Sequence, residues 1–174
     1  MTAHAELAKK VSEAALIHGD FLLRSGARST EYFDKYRFEA RPQILREIAE
    51  ALAGLLPEAG NYDALAGLEM GGIPIATMLS QFTGKPTLFI RKQAKEYGTC
   101  RFAEGGEVEG RRLVIVEDVV TSGGQIIESV KALRNEGALV SDVVCVIDRE
   151  SGGRENLAAE DLSLVSLFTK SELS

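Results

Sequence analysis

The chain is poor in the residues that most enzymes use for nucleophilic or metal chemistry. It has two cysteines and two histidines in 174 residues. Two cysteines cannot build a disulfide framework. Cys145 lies inside the apolar run VVCVI and reads as a small buried hydrophobe, whereas Cys100 sits in a Gly-flanked loop as a candidate free thiol. His4 and His18 are both near the N-terminus, far from the glycine-rich segments. That placement argues against a Ser-His-Asp triad and against a zinc site. Basic charge is also scarce: the net charge is −6, so no global field draws the chain to nucleic acid or to a membrane surface. No apolar run approaches membrane-spanning length. The first ten residues, MTAHAELAKK, are polar and charged, unlike a signal region. Together these absences predict a cytoplasmic protein whose chemistry runs on carboxylates, lysines, arginines, hydroxyls and backbone amides.

What remains is an apolar fraction of 45%, enough for a real core, in a length that suits one domain. The segment ELAKKVSEAALIHG predicts a helix ended by Gly19. The stretch FLLRSGARSTEYFDKYRF reads as irregular or short-strand. Pro42 opens a second helix, PQILREIAEALAGLLPE. Beyond it, YDALAGLE, PTLFI, LVIV, LVSDVVCVID and LSLVSLF are short apolar runs, separated by helical patterns or a long polar loop. Such alternation predicts an α/β fold, a mostly parallel sheet with helices on both faces. No repeat, linker or low-complexity tract divides residues 1–174, so one domain is expected. In these sheets ligands bind beyond the C-terminal strand ends. The loops EMGG, RKQAKEYG and EDVVTSGG, together with Arg149, should therefore meet in one cleft.

The loop EDVVTSGGQ decides the ligand class. A glycine bend opening a helix offers free amides and a favourable dipole to phosphate, and Thr121 and Ser122 add hydroxyls. Two carboxylates, Glu117 and Asp118, stand at its mouth and would repel a bare phosphate. They suit the vicinal hydroxyls of a sugar. A 5-phosphoribosyl group satisfies both halves. The competing reading is plain Ser/Thr/Asp capping of a helix.

IVEDVVTSGG is similar to the phosphoribosyl-diphosphate (PRPP) signature of type I phosphoribosyltransferases. FLLRSGARSTEYFD, GGIPIA, RKQAKEYG and IDRE, in that order along nearly the whole chain, resemble the orotate branch of that family. The resemblance implies the type I phosphoribosyltransferase fold, with a small N-terminal hood contributed by about residues 19–40. It implies transfer of the phosphoribosyl group from PRPP to orotate, giving orotidine 5′-monophosphate and diphosphate in pyrimidine (UMP) biosynthesis. It also implies Mg2+ carried on PRPP rather than on protein ligands, and a homodimer with shared active sites.

The same resemblance assigns residues. PRPP would be bound by Arg91, Lys92, Lys95 and Tyr97, by Gly71 and Gly72, and by Glu117, Asp118, Val119, Val120, Thr121, Ser122, Gly123, Gly124 and Gln125. Arg91 and Lys95 would act in the neighbouring subunit's site and Lys92 in its own. Lys95, Asp118 and Glu117 are the candidate catalytic residues. Orotate would meet Thr121, Arg149, Arg24, Tyr32 and Phe33. Three positions depart from the pattern: Tyr97 stands where histidine is usual, Arg24 where lysine is usual, and Met70-Gly71 where some members have Tyr-Lys.

Each assignment has a plainer alternative. RKQAKEYG could be a solvated charged loop. Arg149 could pair on the surface with Asp148 or Glu150. Tyr32 and Phe33 could be ordinary packing, and Gly71-Gly72 a simple turn before Pro74. As functions, transfer to another base, or PRPP sensing without catalysis, remain beside the orotate reading.

Overall fold

The computed structural model describes residues 2–22, 26–94 and 101–173. Helix α1 (Ala3–Ala15) is capped by the Thr2 side chain, which accepts from the Ala5 N–H, and it buries Leu7, Val11, Ala14 and Ala15. The helix stops at Ala15, four residues before the expected Gly19. Leu16–Leu22 instead forms strand β1, paired antiparallel with β2 (Arg28–Phe33) from Leu16↔Phe33 to Leu22↔Arg28. A helical and a strand pattern both fit LIHG, and the available partner strand decides between them.

A short helix α2 (Tyr36–Glu39) leads to α3 (Pro42–Ala53), which starts on Pro42 and buries Ile44, Leu45, Ile48, Ala49 and Leu52. Then follow β3 (Ala64–Leu68), α4 (Gly72–Thr83), β4 (Thr87–Ile90), β5 (Ala103–Glu104) and β6 (Arg112–Val120). The chain continues with α5 (Gly124–Asn135), β7 (Leu139–Asp148), α6 (Gly153–Ala158) and β8 (Ser163–Thr169). The main sheet has the order β5-β4-β3-β6-β7-β8, parallel except for the antiparallel edge strand β5.

Every residue of β3 is buried because the sheet is covered twice. On one face, α1, α3 and α4 pack with Leu65, Val114, Val116, Val144 and Phe168. On the other, Ile126, Val130 and Leu133 of α5 and Leu157 of α6 pack with Ala66, Ile115, Val143 and Cys145. From β3 the chain winds through α4 to β4 in one direction. From β6 it winds through α5 to β7 in the other. The order reverses between β3 and β6, so the loops after these two strands part and leave a crevice.

Strand β6 runs further than the apolar run LVIV alone predicts. It carries Glu117 and Asp118, expected in the loop, and ends only at Val120. Side-chain hydrogen bonds to its own main chain, described below, keep these two acids compatible with a strand.

Candidate active site

The loop after β6 turns at Gly123, whose φ of +78° lies in the left-handed region that glycine occupies without strain. Gly123 also caps α5, and no side chain hydrogen-bonds into that cap. Thr121, Ser122, Gly124 and Gln125 are exposed around it. Helix capping by Thr121 or Ser122 is therefore not what the loop does, and its N-terminal amides, without a side-chain cap, suit an anion. Helix α6 clamps the loop from the side. The Asn156 Nδ2 donates to the Ser122 carbonyl at 2.9 Å, and Gly153 approaches so closely that a Cβ there would lie 2.5 Å from the Thr121 oxygen. Sequence reading gave α6 no part in this.

The two acids leave β6 on opposite faces, as strand alternation requires. Glu117 is partly buried, and its Oε1 accepts from the Asp118 N–H at 2.9 Å. Asp118 is fully buried. Its Oδ1 accepts from the Val119 N–H at 2.6 Å, and its Oδ2 lies 2.5 Å from the Lys35 ammonium. Burial raises the Glu117 carboxyl well above the usual range, and the adjacent Asp118 charge adds to the effect. Val119 packs against the core and Val120 is buried in it, so these two can offer a ligand only main chain.

Gly71 and Gly72 follow β3 across a cis Glu69–Met70 peptide and open α4, again without a side-chain cap. Each is also required by packing. A Cβ on Gly71 would stand 1.7 Å from Asp118 Oδ2, and one on Gly72 would stand 2.2 Å from the Val116 carbonyl. The Tyr-Lys pair of some members thus has no room for its second side chain while Asp118 holds this position. Glu69 ties this turn to the basic loop, its Oε2 accepting from the Lys92 N–H at 2.8 Å. Arg91 is fixed by its main chain to the Phe102 carbonyl at 3.0 Å, and its buried Nε has no partner among the described residues. Lys92 is exposed. Lys95, Tyr97 and Arg24 lie outside the described residues.

The β1–β2 hairpin overhangs a cleft of about 750 Å³ lined by Tyr32, Phe33, Glu31, Ile147, Arg149 and Lys170, among others. Phe33 packs against the core, while Tyr32 is 45% exposed with its ring 5.5 Å from that of Phe21. The Arg149 N–H donates to the Val120 carbonyl at 2.9 Å, which fixes the Arg149 main chain beside the start of the phosphate-type loop, while its side chain lines the hairpin cleft. The acids flanking Arg149 are engaged elsewhere: Asp148 with Arg154 at 3.4 Å, and Glu150 with Ser171. The surface ion-pair alternative loses its partners. The pairing Asp148↔Thr169 brings Lys170 alongside Arg149, a second cation that sequence reading did not select. Its signal was its position, directly after the last strand.

This crevice, a phosphate-type nest next to an acid pair and a cationic cleft under a hairpin, defines a phosphoribosyl-transfer class of site. Residues 36–165 match the family model described as "Phosphoribosyl transferase domain". The chain is 51% identical over 173 residues to an orotate phosphoribosyltransferase of Nocardioides sp., covering 99% of this chain and 96% of that one. It is 41% identical to that of Pyrococcus horikoshii, covering 94% and 88%. Among solved structures, orotate phosphoribosyltransferase of Mycobacterium tuberculosis in complex with Fe(III) dicitrate superposes with a TM-score of 0.87 at 31% identity, covering 98% of each chain. The same enzyme in complex with PRPP gives 0.84 at 28% identity, again covering 98% of each. The chain belongs to the orotate phosphoribosyltransferases of the type I phosphoribosyltransferase family.

Proposed function

We propose that the protein transfers the 5-phosphoribosyl group of PRPP to orotate, forming orotidine 5′-monophosphate and diphosphate. One observation carries this reading: Arg149 is pinned by its own N–H to the last residue of β6, so a cationic base cleft abuts an uncapped glycine nest. The 5-phosphate takes the amides at Gly123–Gln125 and the hydroxyls of Thr121 and Ser122. The ribose hydroxyls meet Glu117 and Asp118. Arg149 receives the orotate carboxylate as a planar, two-pronged donor, while Tyr32 and Phe33 border the base.

The orotate ring nitrogen then attacks C1 of the ribose as the C1–O bond to diphosphate breaks, and its proton is released as the new C–N bond forms. Positive charge grows on the sugar ring, next to the acid pair. Negative charge grows on the leaving group, toward Arg91, Lys92 and Lys95 and the amides of Gly71 and Gly72. No covalent nucleophile is required, and alignment of the two substrates supplies much of the acceleration.

Magnesium fits as an ion carried by the substrate. The cleft presents oxygens and amides, and among the described residues no group of three or more His, Cys, Asp or Glu side chains could hold an ion alone. When bound, it would offset charge on the diphosphate. The same reading makes the protein a cytoplasmic homodimer with shared sites, its hood and sheet forming one domain. The buried, unpaired thiol of Cys145 supports a reducing compartment, and among the described residues no helix is long and apolar enough to cross a membrane.

The test is direct. Purified protein is mixed with magnesium, PRPP and orotate, and the loss of orotate's ultraviolet absorbance is followed, with uracil and adenine in parallel. Loss with orotate alone is expected. Turnover of another base in its place, or PRPP binding without turnover, would overturn the assignment.

A further inference from the structure

Behind the ribose acids, three carboxyl groups surround one ammonium. The Asp118 side chain is 1% exposed, and its Oδ2 fills the space that Gly71 leaves by having no Cβ. Lys35, two residues beyond the β2 strand, reaches it from the hood side at 2.5 Å. Glu39, one turn further on in α2, is buried at 6% exposure, and neither of its oxygens has a hydrogen-bond partner as a carboxylate. Glu117 completes the group from the other face of β6.

Three crowded carboxyls and one cation cannot all be charged, because burial and mutual repulsion penalise every unbalanced charge. Lys35 lies against one of them, Asp118, at 2.5 Å. A proton on Glu39, directed at Asp118, gives the Glu39 carboxyl a hydrogen bond that it otherwise lacks. Burial first, and the Asp118 charge second, push the Glu39 carboxyl up to about 9. For Lys35 burial works downward, but the bond to Asp118 and the charges of Asp118 and Glu117 outweigh it and leave the ammonium raised. Asp34 and Tyr36 flank the cluster on the chain beside Lys35, and Cys145 of β7 lies near Glu117 as a thiol held protonated by burial.

We propose that Lys35 is a positioning residue of the transferase: it grips Asp118 from behind and holds that carboxylate in place beneath the Gly71-Gly72 turn. The acid pair then offers a ribose ring one defined negative charge. This rests on the phosphoribosyl-transfer reading above. Lys35 touches neither substrate and acts through Asp118.

The experiment compares wild type, Lys35→Met and Lys35→Arg in two ways: steady-state kinetics from pH 5.5 to 9, and calorimetric titration with magnesium-PRPP over the same range. Removing the positive charge lets the carboxyls hold protons to higher pH. For Lys35→Met, kcat/KM for PRPP should fall about 10- to 100-fold, as for loss of a hydrogen bond to a charged group. The acid limb of its pH profile should move up by about one unit, and KM for orotate should stay within about twofold. Lys35→Arg should restore most of the loss and return the limb. If Lys35→Met does not fold, Lys35→Gln takes its place. A merely structural lysine would lower thermal stability and leave the limb unmoved; that result, or an unchanged KM for PRPP, overturns the proposal. Wild-type protein that binds PRPP but does not turn over orotate would overturn the transferase reading instead. The pH dependence of PRPP binding still tests Lys35 in that case, because it involves no base.

Discussion

Gly71 has an ordinary helical backbone, with φ at −68°, so it is not there for conformational freedom. It is there for space, since any Cβ would collide with Asp118 Oδ2 at 1.7 Å. Gly71→Ala should therefore expel the Asp118 carboxylate from its seat beside Lys35. PRPP affinity should drop by about tenfold or more, the cost of one charged hydrogen bond, while orotate binding is spared; calorimetry with each substrate separates the two. Gly72 meets main chain instead, 2.2 Å from the Val116 carbonyl. Gly72→Ala should cost about 1–3 kcal/mol of fold stability through overpacking, visible as a lowered melting temperature. At Arg149 the chemistry is geometric rather than steric. Arg149→Lys keeps the charge but loses the planar fork, so KM for orotate should rise by about tenfold with KM for PRPP little changed. An equal rise in both would remove Arg149 from the base cleft.

Among the elements, α2 is the one that sequence patterning least predicts, and it carries a pH dependence. The Glu39 carboxyl sits at about 9 in the folded protein because of burial and the nearby Asp118. In the unfolded chain it has an ordinary carboxyl pKa, near 4.3. Below that value both states hold the proton. Above it only the folded state does, so stability is lost progressively as pH rises toward 9. Glu39→Gln keeps a neutral donor and removes this loss. Its stability relative to wild type should grow by about 1–2 kcal/mol between pH 5 and pH 8, a figure discounted from the full linkage value for water at the cleft. Urea midpoints at the two pH values check it, and a constant difference would mean that Glu39 is ionised in the fold. The strands β3, β4, β6, β7 and β8 were legible as apolar runs: β3 and most of β6 and β7 are buried on both faces, while the edgeward β4 and β8 keep exposed apolar residues, Phe89 and Val165, within the run. The end of α1 was not legible, since LIHG suits two periods and only β2 settles the choice. Glu117 and Asp118 looked like loop residues because nothing local announces that Lys35, some eighty positions earlier, will neutralise one of them. The glycine turn that opens α5 was legible because a left-handed bend at Gly123 restricts residue type directly. Lys35, Glu39 and Lys170 were not, since burial and apposition of charge are properties of tertiary contact.

At the scale of the whole molecule, the proposed dimer with shared sites makes a prediction about which subunit completes which site. The described residues place Arg91 by its main chain at the end of β4, and Glu69 ties Lys92 to the turn after β3. Lys95 follows three residues later in the sequence, and the family resemblance assigns it, with Arg91, to the neighbouring subunit's site and Lys92 to its own. In a dimer with two-fold symmetry, a lesion in a shared loop and a lesion in the base cleft fall in different sites or in the same one, depending on this choice. Lys95→Ala and Arg149→Ala should each be strongly impaired alone. Unfolding and refolding them together at equal amounts gives half mixed dimers. If Lys95 crosses to the partner, each mixed dimer has one doubly damaged site and one intact site, and activity returns to about a quarter of wild type. If Lys95 serves its own subunit, every site in the mixed dimer carries one lesion, and activity stays at the level of the parents. Recovery that depends on mixing, and that vanishes when the two variants are refolded separately, would establish both the dimer and the crossing lysine. Parental activity in the mixture, with mixed dimers verified by mass, would place Lys95 in its own site.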